Sequence, residues 1–310
     1  SWIFDSGDEN GIDDDNDGYI DNFIGWDMAD NDNDPTYNNN SSLSHGTLVG
    51  GCISATTNNN TGIASVGWSV KLMPFRCSNA GEFIETGYNG ILGAAQMGAN
   101  VINCSWGSTG GGNQSVINTV YNTYGCIIVA SAGNGGDDGN TDFGMHYPSG
   151  LNHVISVSAT GPGDNFGCWA TAGETVDLCA PGESVYTTSL GGGYGSAWGT
   201  SFSSPITAGA VALLWSKFPT ADQEWVEERI ITSTDEFSDM TGSCQGTSLE
   251  GMLGSGRLNI NKALTAGLYP DLSIQDINYQ NDSDGDGVFN PGEQIKVKLV
   301  IANGEGWADA

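Results

Sequence analysis

The sequence predicts an α/β domain built around a doubly wound, mostly parallel β-sheet, followed by the beginning of a β-sandwich. Short apolar runs bounded by glycines recur between residues 99 and 179, and helical patterns alternate with strand-like runs. Such apolar runs are typical of strands buried on both faces of a parallel sheet. Their alternation with helices is typical of doubly wound domains. Beyond residue 270 the pattern changes, and residues 294–301 alternate like a half-buried strand.

The elements of the α/β domain follow one another from residue 45. Helices are expected where small and apolar residues recur, over 45–55, 84–97 and 206–215. Buried strands are expected over 69–75, 99–106, 126–131, 153–159 and 176–179. Two further segments, 230–241 and 254–268, close the domain. Because active sites of such sheets lie at the carboxyl ends of the strands, the residues that follow each apolar run are the candidates for a functional site.

Length and composition indicate the domain organisation and exclude some functions. A chain of 310 residues can form one large core and a smaller module. We assign residues 1–268 to the α/β domain and 269–310 to a linker and a partial β-sandwich. The net charge is −29, because only 8 Lys and Arg face 37 Asp and Glu, which argues against nucleic acid as a partner. No run of about 18 apolar residues is present, so no membrane-spanning helix is expected.

The chain has seven cysteines, and this odd number leaves at least one without a partner in the chain. Cys104 and Cys126 lie in apolar strand-like runs, where cysteine behaves as a small buried hydrophobic residue. Cys168 and Cys179 flank one strand-loop segment and are a candidate pair, although the connectivity does not follow from the sequence.

An acidic segment near the N-terminus predicts a calcium site. Acidic residues alternate along it and a glycine follows, as in the first half of an EF-hand loop. The candidate ligands are Asp13, Asp15, Asp17 and Asp21. The twelfth position of the loop is Ile24, so the glutamate that closes an EF-hand site is missing. The alternative interpretation is a solvated acidic loop.

A second acidic segment, residues 282–293, matches the calcium loop at every ligand position. The candidate ligands are Asp282, Asp284, Asp286, Val288, Asn290 and Glu293. The flanking residues lack a helical pattern, and a strand is expected over 294–301. We therefore expect Ca²⁺ in a loop of a hairpin that opens an immunoglobulin-like sandwich.

Three Gly-rich segments carry residues suited to nucleophilic catalysis. Ser201 lies on a turn before a long apolar helix, whose N-terminus favours the negative charge of an oxyanion. His45 lies on a Gly-flanked turn, and a histidine is the usual base that activates a serine. Asn134 ends an apolar strand among glycines. Taken singly, each residue has a structural alternative. Ser201 is then a helix cap, His45 a structural histidine and Asn134 a turn residue.

Together and in this order, segments 44–51, 129–135 and 199–205 resemble the subtilisin-like serine peptidases over roughly residues 10–265. The resemblance implies that Ser201 is the nucleophile, His45 the base and Asn134 an oxyanion donor. It also implies that Ser105, Trp106 and Gly107 pair with extended substrate. The family usually has a smaller apolar residue where Trp106 stands, so Trp106 indicates either a hydrophobic specificity pocket or a core position.

The resemblance leaves two alternatives for the acid of the catalytic triad. Asp5 begins an Asp-Ser-Gly sequence of the form that the family uses, after the apolar residues 2–4. However, residues 10–26 resemble an insertion that some bacterial members carry well downstream of that aspartate. In that case the acid lies upstream of residue 1, and the strand position beside His45 is empty or filled by a separate peptide. We favour this second alternative, because its match is longer.

The expected function is that of a secreted serine endopeptidase that binds Ca²⁺ and acts on protein or peptide substrates. The alternative is an inactive subtilase that serves as a structural or adhesive component of an extracellular assembly. In either case the C-terminal module is a candidate contact for other extracellular chains.

Overall fold

The computed structural model describes residues 10–36, 45–78, 84–135 and 141–265, together with the backbone of strands within 272–280 and 296–303. The chain divides into two compact units, residues 1–263 and 264–310. Asp5 and the predicted calcium loop 282–293 lie outside the described residues. Within the described ranges, no helix is long and apolar enough to cross a membrane.

The first unit contains helices on both sides of a central sheet. Its helices are α1 (His45–Ser54), α2 (Gly87–Gln96), α3 (Gln114–Tyr124), α4 (Thr200–Lys217), α5 (Gln223–Thr232) and the start of α6 (Ile260–Thr265), with 3₁₀ turns at Leu190–Gly192 and Ser238–Thr241. Its strands are β1 (Trp26–Asp27), β2 (Phe75–Arg76), β3 (Val101–Cys104), β4 (Ile127–Ser131), β5 (Val154–Thr160), β6 (Leu178–Pro181), β7 (Val185–Ser189), β8 (Gly193–Ala197), β9 (Thr234–Asp235), β10 (Ser243–Cys244), β11 (Thr247–Ser248) and β12 (Arg257–Leu258).

The central sheet has six strands in the order β3-β4-β5-β6-β12-β9. The pairs from β3 to β12 are parallel, and only the pair of β12 with β9 is antiparallel. Every residue of β4 and β5 is buried, as expected for strands covered on both faces. The structure thus confirms the prediction of a mostly parallel sheet.

Helix α4 is the buried centre of the first unit. It packs against β3, β4, β5 and β6, and also against α1. The loop after α1 also approaches α4 closely: a Cβ atom on Gly209 would lie 3.1 Å from Val66 Cβ and from the backbone nitrogen of Gly67. Helices α2 and α3 pack on the sheet through a cluster that includes Ile91, Ile117 and Ile128. Alternate residues of β4 therefore face different helical layers.

The predicted strand over 69–75 is reduced to the two residues of β2, which pair with β1. A strand needs a hydrogen-bonded neighbour, and residues 70–74 instead line a cleft. The predictions also missed α3 and α5. Helix α3 begins at the cap Asn113, whose side chain accepts from the Val116 N–H, and ends at Gly125 with φ 70°.

The disulfide joins Cys168 to Cys244, with Cα atoms 5.7 Å apart, so the pairing of Cys168 with Cys179 is wrong. Cys179 is fully buried in β6, and its thiol contacts the Leu253 carbonyl oxygen at 3.6 Å. The five cysteines outside the disulfide, Cys179 among them, are free thiols. Burial raises the pKa of Cys77 and of Cys126 to about 11, which makes both poor nucleophiles at neutral pH.

The second unit contains an antiparallel pair of strands, β13 (Leu272–Gln280) and β14 (Lys296–Asn303). The register pairs Leu272 with Asn303 and Gln280 with Lys296, which places residues 281–295 between the paired strand ends. The expected strand after the acidic loop is thus confirmed with shifted ends, whereas the β-sandwich stays a prediction.

We expect loss of the Cys168–Cys244 bond to lower the free energy of unfolding by about 4 kcal/mol, because the bond closes a loop of 76 residues in the unfolded chain. The free energy of unfolding should fall by nearly the same amount in Cys168→Ala, in Cys244→Ala and in the double variant, since all three lack the same bond. Urea unfolding with and without reductant measures this, and reductant should destabilise only the wild type. Peptide mapping that links Cys168 to Cys179 would contradict the structure.

Candidate active site

The turn before α4 holds Ser201 at the start of the helix. Gly199 has φ 131°, a conformation that favours glycine, and its N–H donates to the Gly182 carbonyl at 2.8 Å. Ser201 is the second residue of α4. Its N–H is thus among the first N–H groups of the helix, which have no partner within the helix.

The hydrogen bonds around this turn leave the Ser201 N–H available. The Thr200 N–H donates to Asn134 Oδ1 at 2.8 Å, and the Phe202 N–H donates to the Gly199 carbonyl at 2.9 Å. Between them, the Ser201 N–H has no hydrogen-bond partner in the described part of the chain. The positive end of the α4 dipole lies at the same place, so this N–H can stabilise a negative charge.

Asn134 follows β4, and its side-chain amide has a fixed orientation. Its Oδ1 accepts from both the N–H and the hydroxyl of Thr200, at 2.8 and 2.9 Å. The Thr200 hydroxyl in turn accepts from the Gly133 N–H at 3.2 Å. Because Oδ1 is occupied by two donors, Nδ2 must point elsewhere, and Asn134 is exposed. The Asn134 Nδ2 and the Ser201 N–H are therefore two donors at the carboxyl edge of the sheet.

Ser105, which follows β3, is hydrogen-bonded to the turn that holds Ser201. Pro205 lies four residues after Ser201 and has no N–H, so it cannot donate to the Ser201 carbonyl as a helix requires. The Ser105 hydroxyl donates to that carbonyl instead, at 2.8 Å. Asn103 Nδ2 donates to the Ser105 hydroxyl at 2.9 Å, and the Ser204 hydroxyl donates to Asn103 Oδ1 at 2.7 Å. This network fixes β3 to the first turn of α4.

His45 is the first residue of α1 and lies beside the same turn. Its ring packs edge-to-face on Phe202, with the ring centroids 5.8 Å apart. The Ser201 hydroxyl donates to the Ser105 carbonyl at 3.4 Å, and no hydrogen bond joins it to His45 among the described residues. His45 is exposed, but the atoms packed on one side of its ring partly desolvate it, and this lowers the pKa of the imidazole. The neutral form, which can accept a proton, is thereby favoured.

Segment 105–107, the predicted substrate-binding stretch, directly follows β3. The next residue, Ser108, exchanges two backbone hydrogen bonds with Tyr147, at 3.0 and 2.8 Å, which hold the segment in place. Trp106 is half-buried, and its ring packs edge-to-face on Tyr88 with centroids 5.7 Å apart. Trp106 thus packs partly against the core and also lines the cleft described next.

A large cleft lies beside β3, which pairs only with β4 in the described part of the sheet. Its walls include β3, segment 70–76, α1 with His45, and Ala208 and Trp215 of α4. Its volume of about 2020 Å³ exceeds the roughly 300–1,000 Å³ that is usual for small-molecule sites. The shape and the unpaired strand edge suit an extended polypeptide better than a small ligand.

The acidic segment near the N-terminus brings three carboxylates together. Oxygens of Asp13, Asp15 and Asp17 lie within 4.8 Å of one another. Asp21 is outside this group, because its carboxylate accepts from the N–H groups of Asn10 and Gly11, at 3.2 and 2.9 Å. Carboxylate oxygens are the donors that Ca²⁺ prefers, and three charges this close repel without a cation, so the group fits Ca²⁺.

The other two histidines have structural contacts. His146 Nε2 lies 2.9 Å from an Asp142 carboxylate oxygen, and His153 stacks on Tyr121 with centroids 4.1 Å apart. Thr200 and Asn103 were not among the residues predicted from the sequence, although both hold the site together. A signal for Asn103 was present, since it is an asparagine near the end of an apolar strand, as Asn134 is.

Comparison with known proteins identifies the family. The model of the subtilase family matches residues 5–258. Thermitase of Thermoactinomyces vulgaris is 36% identical over 218 residues, which cover 69% of this chain and 74% of thermitase. Subtilisin DY of Bacillus licheniformis is 34% identical over 200 residues, which cover 63% of this chain and 72% of that protein.

Solved structures agree with this match. A protease structure from Pseudoalteromonas arctica superposes with a TM-score of 0.62 at 28% identity, covering 72% of this chain and 70% of that one. The family model, the sequence matches and the fold lead to the same conclusion. The chain belongs to the subtilase family and is a subtilisin-like serine peptidase.

Proposed function

We propose that this chain is a secreted endopeptidase in which Ser201 is the nucleophile, His45 the base, and Asn134 Nδ2 with the Ser201 N–H the oxyanion hole. The observation that carries this proposal is the orientation of the Asn134 amide, whose oxygen is bound by both donors of Thr200. With its oxygen so bound, the amide directs its remaining donor away from Thr200. Preorganised donors of this kind need no rearrangement when charge develops on the substrate.

The proposed roles give the following reaction once the Ser201 hydroxyl turns from the Ser105 carbonyl to His45. His45 Nε2 accepts the Ser201 hydroxyl proton as the serine oxygen attacks the peptide carbonyl carbon. The carbonyl oxygen becomes an oxyanion, which accepts hydrogen bonds from Asn134 and the Ser201 N–H. The C–N bond then breaks, and His45 gives the proton to the leaving amine. A water molecule, deprotonated by His45, releases the acyl group from Ser201 by the same steps in reverse.

The proposed triad also needs a carboxylate beside His45. The cleft beside β3 supports an additional strand there, since β3 pairs on one edge only in the described part of the sheet and His45 lines the same cleft. A strand in this position would complete the sheet and bring a carboxylate to His45. Such a carboxylate would favour the protonated imidazole that forms during the reaction.

Two features support secretion. The Cys168–Cys244 disulfide is typical of oxidising compartments, and the net charge of −29 suits a soluble extracellular protein. The substrates are proteins or peptides. The alternative of an inactive structural subtilase is disfavoured, because His45, Asn134 and Ser201 are all present and the donors are oriented.

Replacement of the oxyanion donor tests the proposed mechanism. Asn134→Ala should lower kcat by about 10²–10³, the usual effect of losing one oxyanion donor, with little change in KM. Ser201→Ala should abolish hydrolysis with the fold unchanged. Asn122→Ala, an exposed asparagine on α3, is the matched control and should keep wild-type turnover. Hydrolysis of an internally quenched peptide measures all three. Unchanged kcat in Asn134→Ala would refute the oxyanion assignment.

We also propose that Ca²⁺ binds at Asp13, Asp15 and Asp17, and at the second loop, residues 282–293. Asp21 is not a ligand in this proposal, because its carboxylate accepts from the N–H groups of Asn10 and Gly11. Asp15→Asn should weaken calcium binding at the first loop by about tenfold or more, because affinity depends on the number of charged ligands. Asp14→Asn removes the same charge from the same loop, but the Asp14 side chain lies outside the carboxylate group. It is the matched control for isothermal titration.

Titration of the wild type with Ca²⁺ should show two binding phases, one for each loop. Asp284→Asn should weaken the phase that belongs to the loop 282–293. Chelation should lower the thermal stability of the wild type more than that of Asp15→Asn. Equal calcium affinities of Asp14→Asn and Asp15→Asn at the first loop would show that the carboxylate group is not a calcium site.

A further inference from the structure

A recess of about 490 Å³ lies beside the nucleophile turn and has no role in the mechanism above. Its lining residues are Trp169, Glu183, Ser184, Ser196, Ala197 and Trp198. The volume is within the range of roughly 300–1,000 Å³ for sites that bind small groups. The lining residues include two tryptophans, one glutamate and two serines.

The aromatic wall of the recess is rigid. Trp169 directly follows Cys168, which the disulfide joins to Cys244, and its ring packs so closely on Gly167 that a Cβ there would lie 2.8 Å from the indole. Trp198 packs edge-to-face on Trp169, with ring centroids 5.1 Å apart. Trp198 nevertheless stays 62% exposed. A large apolar surface is thus held in water by a fixed support, and a ligand that covers it loses little conformational freedom of the protein.

The charge of the recess selects the chemistry of the ligand. Glu183 is an exposed residue of the lining, and its carboxylate forms no ion pair with any described Lys, Arg or His. Its Oε2 lies against Gly161, so the side chain must turn toward the indole rings to meet a ligand. The faces of indole rings attract cations, and a carboxylate attracts them more strongly. A guanidinium or ammonium group on an apolar stem matches both features, because its stem packs on the rings while its charge reaches Glu183.

The recess lies on the opposite side of Ser201 from Ser105. The Gly199 N–H donates to the Gly182 carbonyl, and the Ser203 hydroxyl donates to the Ala180 carbonyl at 3.0 Å, so the turn is bonded to the end of β6. Ser105 reaches Ser201 from the end of β3. In the sheet order, β3 and β6 are three steps of about 4.8 Å apart. If segment 105–107 binds the acyl side of the substrate, the recess faces the leaving-group side.

We propose that this recess binds an arginine or lysine side chain of the substrate on the leaving-group side of the scissile bond, with Glu183 as the charge partner and Trp198 as the packing surface. The proposal rests on the peptidase function proposed above and adds a specificity to it. With 37 acidic residues against 8 basic ones, the chain as a whole also attracts cationic peptides, so the test must separate local from general attraction.

The first experiment compares quenched peptides that differ only in the two positions after the scissile bond. These positions carry arginine in one peptide and citrulline, its neutral isostere, in the other. We expect kcat/KM to be about fivefold higher for the arginine peptide, as for one solvent-exposed cation–π contact. Glu183→Gln and Trp198→Ala should abolish this preference.

Glu228→Gln removes the same charge from an exposed position on α5 and should keep the preference. Equal rates for the two peptides with the wild-type protein would overturn the proposal while leaving the peptidase function intact. A preference that Glu183→Gln and Glu228→Gln reduce equally would also overturn it, since general charge would then explain the effect.

The second experiment does not depend on hydrolysis. Argininamide and citrullinamide are titrated into the Ser201→Ala protein, and tryptophan fluorescence is recorded. Saturable quenching by argininamide alone, lost in a Ser201→Ala/Trp198→Phe variant and weakened by Glu183→Gln, would support the recess. Absence of any such response would overturn it. If no peptide is hydrolysed by the wild type, the proposed function fails, and this titration still decides the recess.

Discussion

The hydrogen bonds from Thr200 to the side-chain oxygen of Asn134 are the interaction on which the site depends. They join the segment after β4 to the first residue of α4, and they fix the orientation of Asn134 beside Ser201, the two residues of the proposed oxyanion hole. With Oδ1 occupied, the asparagine must direct its Nδ2 elsewhere, and with Thr200 and Phe202 bonded, the Ser201 N–H stays available. The donors are thus held by bonds that the folded protein makes without substrate, which reduces reorganisation during the reaction.

Close packing of α4 against the sheet makes this arrangement possible. Pro205 removes one helical hydrogen bond, and the carbonyl that it leaves free is taken by Ser105 at the end of β3. The nucleophile turn is therefore held by β3, β4 and β6 at once, through Ser105, Asn134 and Gly182. Three strand ends and one helix terminus thus define the position of Ser201. This support is more rigid than the support that a loop alone could give.

The sequence predicted those parts of the fold in which local pattern and tertiary packing agree. Runs such as 126–131 are apolar because both faces of β4 are covered, and Asn134 and Ser201 lie where such strands and helices end. Helix α3 was missed because most of its surface is polar, although Asn113 and Gly125 marked its ends. The disulfide could not be predicted, since Cys244 is distant in sequence. The strand expected over 69–75 needs a neighbour that the described part of the sheet does not supply.

The most direct measurement of the central claim is covalent labelling of the intact protein with a fluorophosphonate, followed by peptide mass spectrometry. Such a probe reacts with a serine only when a base activates it and an oxyanion hole stabilises the developing charge. The account predicts a single labelled residue, Ser201, and labelling about 10² times slower or more in Asn134→Ala. Absence of label on Ser201 in the properly folded protein, or equal rates in the two proteins, would contradict it.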